Sequence, residues 1–432
     1  MILCRSDSVV DVTFEGFDEA EILSLFVGAG REELNEFKIQ MKMSAELHEK
    51  LEREKGDIVN ATRKEMEKVF SFFKKIKNGE CFCILPENLL RGKSIYDRDK
   101  IAAREQTFLK YKNWGYHDEF IVSIMDKLEN TCEKYLDELS EIYEIHFFSK
   151  KNAKEWFGEK DKEKRVCRFC GRKMPEATFR DAAHTIPFAL GNRIFFNNYE
   201  CDECNHYFGE EIEPHLVKWL GILIVIFGGK GRNGVPDLKF DNGMISHSKE
   251  NSGMAIICRK ENNDLNSIID GEKNGIIDLG EGEQYIPVRA YKALVKIALG
   301  FVPEEKMQLF KNTIQWVMNG FDVVDGRLPK VACCLYPQEL NQQPEVTLYL
   351  RKNSSDEKAP AAVAVVMMCG IILIYIIPFV LNETTNYAIG EKYNEYWDIF
   401  NLYSKSPHKW YHVDLSGTKS ISQNLRLNFN ND

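Results

Sequence analysis

Positive charge is in short supply. The 432-residue chain carries 57 Lys and Arg against 66 Asp and Glu, a formal net charge of −9 with a pI near 5.7. A protein coated all over with basic residues is excluded, so any nucleic-acid surface has to be a local patch. No sign of secretion is seen either: Met1-Ile2-Leu3-Cys4-Arg5-Ser6-Asp7 lacks an apolar core of about 7–15 residues, so the expected location is the cytoplasm. There is no internal repeat of about 20–50 residues, and no heptad pattern lasts for three or four repeats, which argues against a coiled coil. With 13 Pro and 28 Gly the chain is neither collagen-like nor low in complexity. Its 44% hydrophobic residues suffice for two to four domains. Long apolar runs are rare. The longest, Ala361 to Ile377, has 17 residues without a charge, at the lower limit for a spanning helix. Its β-branched enrichment and central Cys369-Gly370 favour a buried hairpin between Pro360 and Pro378 over a membrane segment.

Helical spacing dominates the first third. Leu34, Phe37, Met41, Leu47 and Leu51 recur among charges and predict helix over residues 18–78. Phe120, Ile121, Ile124, Met125, Leu128, Leu136 and Leu139 predict another over residues 98–147. Such helices serve either as a bundle or as an arm for oligomerisation or a regulatory partner. Between Lys150 and Arg180 the composition shifts: eleven Lys/Arg face five Asp/Glu, a local balance of +6. Short apolar runs at Ile222 to Phe227 and Met254 to Cys258 read as small strands. The loop Gly228-Gly229-Lys230-Gly231-Arg232-Asn233-Gly234 fails the phosphate-loop pattern, because no Ser or Thr follows its lysine. Helices are expected from Val288 to Leu299 and from Pro303 to Met318, and a strand from Val346 to Leu350.

Four of the twelve cysteines form two C-x-x-C pairs, Cys167-Arg168-Phe169-Cys170 and Cys201-Asp202-Glu203-Cys204. Such turns aim paired thiolates at one ion, and an S₄ shell selects zinc and leaves no position for water. That zinc is structural. Cys4, Cys81, Cys83, Cys132, Cys258, Cys333, Cys334 and Cys369 lack knuckle spacing and read as reduced thiols.

Between and after the pairs lie Asp181-Ala182-Ala183-His184-Thr185-Ile186-Pro187, Gly191-Asn192, Asn197-Asn198-Tyr199-Glu200 and Asn205-His206. Over about residues 165–220 this resembles the HNH (ββα-metal) endonuclease family in its zinc-stabilised form. The resemblance implies a DNA-hydrolysing enzyme with His184 as general base. Asn198, or its neighbour Asn197, would hold hairpin and imidazole, and Asn205 would bind one catalytic Mg²⁺ or Mn²⁺. Many relatives place an acid or histidine immediately before the catalytic histidine; here that residue is Ala183. Substitutes for that metal ligand are Asp181, His206 and Glu210, with Glu213 further along. The alternative is a zinc-stabilised nucleic-acid-binding or adaptor protein whose HNH module does not cleave.

The expected organisation is α+β and multidomain. Residues 1–150 form a helical region and 151–220 the HNH module. Residues 221–320 hold small strands followed by helices, and 321–432 a mixed α/β region. The expected partners are double-stranded DNA and a second copy or regulatory protein on the N-terminal helices, with no membrane. A regulated defence or toxin-type effector fits this organisation.

Overall fold

Period-two alternation, not helical spacing, governs the first residues. The computed structural model describes residues 1–6, 8–13, 23, 38–58, 63–149, 154–227, 229, 231, 234–247, 254–258, 275–319, 328–336, 343–352, 358–404 and 409–429. They divide into two units, Met1–Lys134 and Tyr135–Asp432.

In the first unit the strands β1 (Ile2–Arg5), β2 (Ser8–Asp11), β3 (Ile39–Lys42) and β4 (Cys81–Leu85) form an antiparallel sheet in the order β2-β1-β4-β3. Leu3, Phe82 and Ile84 face Phe70 and Phe73 of the helix Arg63–Lys74. Ile2, Cys4, Cys83 and Leu85 face Ala102 and Leu109 of the helix Ile95–Asn113. Residues i and i+2 share a face of a strand, so one short sheet serves two helical layers. The region expected to be helical over 1–150 therefore also contains a four-stranded sheet. Met41 lies in β3, and helix within 18–78 is found among the described residues at Leu23, over Ala45–Ile58 and over Arg63–Lys74. Leu34 and Phe37 lie outside the described residues. Over 98–147 the chain forms Ile95–Asn113 and Asp118–Ile142, then enters a strand at Tyr143. Ile121, Met125 and Leu139 are buried as expected, while Phe120 and Leu136 are exposed.

The second unit is built on a six-stranded antiparallel sheet of β5 (Tyr143–Phe148), β12 (Val331–Leu335), β13 (Glu345–Arg351), β14 (Ala362–Met368), β15 (Ile371–Ile376) and β16 (Trp410–Val413). Its order is β16-β12-β15-β14-β13-β5. Ala362, Ala364, Val366, Leu373 and Tyr375 pack on the cluster that contains the helix Pro287–Phe301. Val363, Val365, Ile372, Ile374 and Ile376 pack on Tyr135, Tyr143, Tyr396 and Phe400. Burial on both faces explains why residues 361–377 read as an unbroken apolar run. Cys369 and Gly370 both have positive φ, +48° and +70°, as a two-residue hairpin with a type I′ turn requires. The expected buried hairpin is present. Among the described residues no helix is long and apolar enough to cross a membrane.

Around this sheet stand the parallel pair β6 (Glu155–Phe157) and β7 (Phe195–Asn197), the antiparallel β8 (Leu238–Phe240), β9 (Gly243–His247) and β10 (Met254–Cys258), and the pair β11 (Gly275–Tyr285) with β17 (Ile421–Phe429). Ile222 to Phe227, expected as a strand, is the helix Gly221–Ile226. A six-residue apolar run carries no periodicity that separates strand from buried helix. Gly228, Lys230, Arg232 and Asn233 of the glycine-rich loop lie outside the described residues. One buried cluster runs from Cys167 through Leu220, Leu294 and Val346 to Leu415. The boundaries expected at 220 and 320 therefore do not separate cores, and the contact division falls at 134, not 150.

Candidate active site and zinc knuckle

The first cysteine pair sits on a tight turn. Cys167 N–H donates to the Arg172 carbonyl at 2.9 Å and Gly171 N–H to the Cys167 carbonyl at 2.8 Å. Gly171 closes the turn at φ +73°, a region that side chains disfavour. The second pair opens the helix Asp202–Tyr207, with Cys201 preceding it and Cys204 one turn in. All four Sγ atoms lie within 4.8 Å of one another, and Cys170 and Cys201 are 3.7 Å apart. Sulfurs bound tetrahedrally at about 2.3 Å from zinc stand about 3.8 Å apart, so the set fits a structural zinc. Crowding splits the thiols. A hydrogen bond from Cys204 holds Cys167 down at about 5, burial pushes Cys201 up to about 12, and Cys204 is driven far above the ordinary range. A bound cation would relieve this mutual repulsion. No disulfide joins the described cysteines.

His184 lies on an extended segment that makes an isolated antiparallel bridge to β7. Asn197 N–H donates to the Ala183 carbonyl at 2.9 Å, His184 bridges to Phe196, and Thr185 N–H donates to the Phe195 carbonyl at 3.2 Å. The half-buried imidazole rests against Phe196 and Phe188, with ring centres 4.7 and 5.6 Å away. The bridged segment at His184, β7 and the helix Asp202–Tyr207 follow one another in ββα order around the knuckle.

The loop joining the bridged segment to β7 is tied by Asn192, a fully buried residue without an assigned role in the sequence reading. Its Nδ2 donates to the carbonyls of Ile186 and Phe195 at 2.9 and 2.8 Å. Its Oδ1 accepts from the amides of Ile194 and Phe195 at 3.1 and 2.9 Å. Asn198 or Asn197 was expected to hold the hairpin, and Asn192 also ties it. Asn197 accepts from Tyr199 N–H at 2.9 Å and donates to Glu200 Oε2 at 3.3 Å. Asn198 is buried, and its Oδ1 has no donor among the described residues.

Beneath His184 lies a buried charge. Lys296, on the helix Pro287–Phe301, is fully enclosed. Its Nζ donates to the His184 carbonyl at 2.9 Å and to Glu213 Oε1 at 2.8 Å, and pairs with Glu200 Oε2 at 3.2 Å. Burial raises the Glu200 carboxyl to about 7 against the pull of Lys296, while Lys296 is itself raised by its two acidic partners, which outweigh its burial. Gly300 lets this helix approach, since a Cβ there would collide with the Thr185 side chain. Arg168 grips the helix end through the Leu299 carbonyl and Glu304, with its guanidinium 3.9 Å from the Tyr199 ring centre. A lysine at i+4 from Lys292 within an apolar helix was the available sequence signal for this cluster.

The remaining candidates do not converge. Glu213 is taken by Lys296. His206 and Glu210 pair with each other at 3.0 Å on an exposed helix face. Asp181 is exposed and donates its backbone N–H to Asp202 Oδ1 at 3.0 Å. Ala183 is buried. Asn205 is half-buried, with its N–H bonded to the Cys201 carbonyl at 2.9 Å. Among the described residues, the four cysteines are the one group of three or more His, Cys, Asp or Glu close enough to share an ion. A catalytic ion would find few protein ligands here, and Mg²⁺ tolerates that by keeping water and phosphate oxygens in its shell.

Residues 167–220 match the family model described as HNH endonuclease. The matched segment is thus similar to HNH endonucleases, and its four-cysteine cluster fits the C-x-x-C zinc-binding form. Neither the curated proteins nor the solved structures compared with the chain give a match.

Proposed function

We propose that the protein is an HNH endonuclease that hydrolyses phosphodiester bonds of double-stranded DNA, with His184 as general base. The observation that carries this reading is the support given to His184 within a matched HNH segment: a strand pairing on one side and a buried lysine on its carbonyl. Imidazole is near neutral charge balance at physiological pH and can accept the proton of an attacking water. As the water oxygen bonds to phosphorus, His184 takes the water's proton and the P–O3′ bond breaks, and the departing 3′ oxygen takes a proton from solvent water, leaving 5′-phosphate and 3′-hydroxyl ends. A bound Mg²⁺ or Mn²⁺ would neutralise charge on the phosphate and the departing oxygen, with the Asn205 carbonyl as a protein ligand. The +6 stretch from Lys150 to Arg180 supplies a basic approach to the module on an acidic chain.

A second reading is a nucleic-acid-binding module that does not cleave. Buried Ala183 and the lack of a second ligand group among the described residues favour it. Nicking of supercoiled plasmid by the zinc-loaded protein in Mg²⁺ or Mn²⁺ separates the two. Conversion to open circle is expected; intact plasmid with both ions contradicts the enzyme and supports the binding module.

A further inference from the structure

A cavity of about 270 Å³ opens beside the ββα hairpin and is not used by the chemistry above. This is close to the lower end of the roughly 300–1,000 Å³ of small-ligand sites. Trp156 of β6 forms part of its wall. One face of the indole stacks on Phe196 at 4.5 Å and 19°, and the residue remains 42% exposed. Phe196 in turn touches the His184 ring at 4.7 Å. The cavity is thus joined to the proposed general base by a continuous row of three rings.

Its polar lining is lopsided. Lys160, Lys162, Arg165 and Arg180 line it with a single carboxylate, Asp181. Arg165 is committed to building the wall, donating to the carbonyls of Glu159 and Lys160 at 2.8 and 3.1 Å. Arg180 is shared with Asp202 at 3.3 Å. Lys160 and Lys162 have no acidic partner among the described residues, so their charge is available to a ligand. At the inner side lies Asn198, 2% exposed, whose Oδ1 lacks a donor among the described residues. An orphaned buried acceptor calls for an N–H or O–H donor from outside. An aromatic platform, a buried acceptor and unpaired ammonium groups together match one chemical class. That ligand has a flat ring bearing donors, attached to a phosphate.

We infer that this cavity is a nucleotide subsite that takes one unpaired base of the substrate strand, stacked on Trp156, with its phosphate at Lys160 and Lys162. A paired base has both faces covered by its neighbours in the duplex, so occupancy requires it to leave the stack. The inference rests on the nuclease reading only for the identity of the strand. Binding is measurable without cleavage.

The test is fluorescence anisotropy of the zinc-loaded full chain, without added divalent ion. The probes are fluorescein-labelled single strands of DNA and of RNA and the matching DNA duplex. Tighter binding of a single strand than of the duplex is expected, and whichever strand binds better identifies its source. Trp156→Ala should weaken single-strand binding about tenfold, the scale of one lost base–aromatic stack, and Trp156→Phe should weaken it less. In Lys160→Glu/Lys162→Glu, whose side chains are exposed and outside the core, the salt dependence should fall by about 1.4 log units per log unit of salt, as for two phosphate contacts on a single strand. Single-strand affinity unchanged in Trp156→Ala overturns the inference, as does equal weakening for strand and duplex. Competition by inorganic pyrophosphate that is insensitive to Trp156→Ala marks an anion site only and also overturns it. A chain that nicks plasmid but ignores Trp156 keeps the nuclease reading and loses this one. A chain that never nicks but loses strand binding with Trp156→Ala keeps this one.

Discussion

The zinc knuckle and the Lys296 cluster both bury groups that carry charge, within 167–220 and one helix beyond it. The knuckle gathers four like groups, two pairs each three residues apart, whose repulsion calls for a cation from outside. The Lys296 cluster gathers unlike groups, one ammonium between the carboxylates of Glu200 and Glu213, and draws its partners from the chain itself, with Glu213 83 residues away and the His184 carbonyl 112. One site is local and calls for a metal; the other is long-range and takes its counter-charges from the chain, with Glu200 Oε1 left without a donor among the described residues. The difference suggests separate duties. Metal closes the fold of the module, and a lysine from outside the module fixes the segment that bears His184.

Removing the metal should have the largest effect. Cys167→Ser or Cys204→Ser should lower zinc from about one per chain to near zero and abolish cooperative unfolding of Tyr135–Asp432, because binding at such sites supplies on the order of 10 kcal/mol. Metal analysis alongside calorimetry checks it. A variant that loses zinc yet melts as the wild type would break the comparison.

Lys296→Met comes next. It leaves Glu200 and Glu213 facing each other without their counter-ion, and breaking a buried pair costs about 3–5 kcal/mol. Urea unfolding should show that loss with zinc still bound, and adding Glu200→Gln should recover part of it. Loss of zinc in Lys296→Met would mean that the two regions are one device.

Asn192→Ala removes four hydrogen bonds to backbone groups, of which, among the described residues, only the Phe195 carbonyl keeps a second partner in Thr185 N–H, and buried groups left unsatisfied cost about 1–3 kcal/mol each when water cannot reach them. Lower stability and slower nicking at unchanged zinc content are expected, whereas Asn197→Ala should do less. The smallest effect belongs to His206→Ala, since an exposed i,i+4 pair contributes about 0.3–0.5 kcal/mol. Nicking by this variant should match the wild type; a large loss would restore His206 as a metal ligand.

Legibility followed distance along the chain. The cysteine pairs, the hairpin of Ala362–Met368 and Ile371–Ile376, and the helix over Val288–Leu299 were readable because ligand spacing, a Cys-Gly turn and apolar periodicity are local signals. The N-terminal sheet was missed because its strands span four or five residues and meet across long intervals, as in Ile2 with Leu85. Lys296 was missed because nothing near it in sequence shows that Glu200, Glu213 and the His184 carbonyl converge there. Asn192 was passed over for the more conspicuous Asn197-Asn198, although a buried asparagine following Gly191 at φ +91° is well suited to clamp a loop.

The most direct test of the account is the single-turnover plasmid-nicking rate of His184→Ala beside wild type, both carrying one zinc and both with Mg²⁺ or Mn²⁺. General-base catalysis contributes about 10²–10⁴-fold, so the variant should remain folded, keep its zinc and slow by at least about a hundredfold. An equal rate in a folded, zinc-loaded His184→Ala would contradict the mechanism.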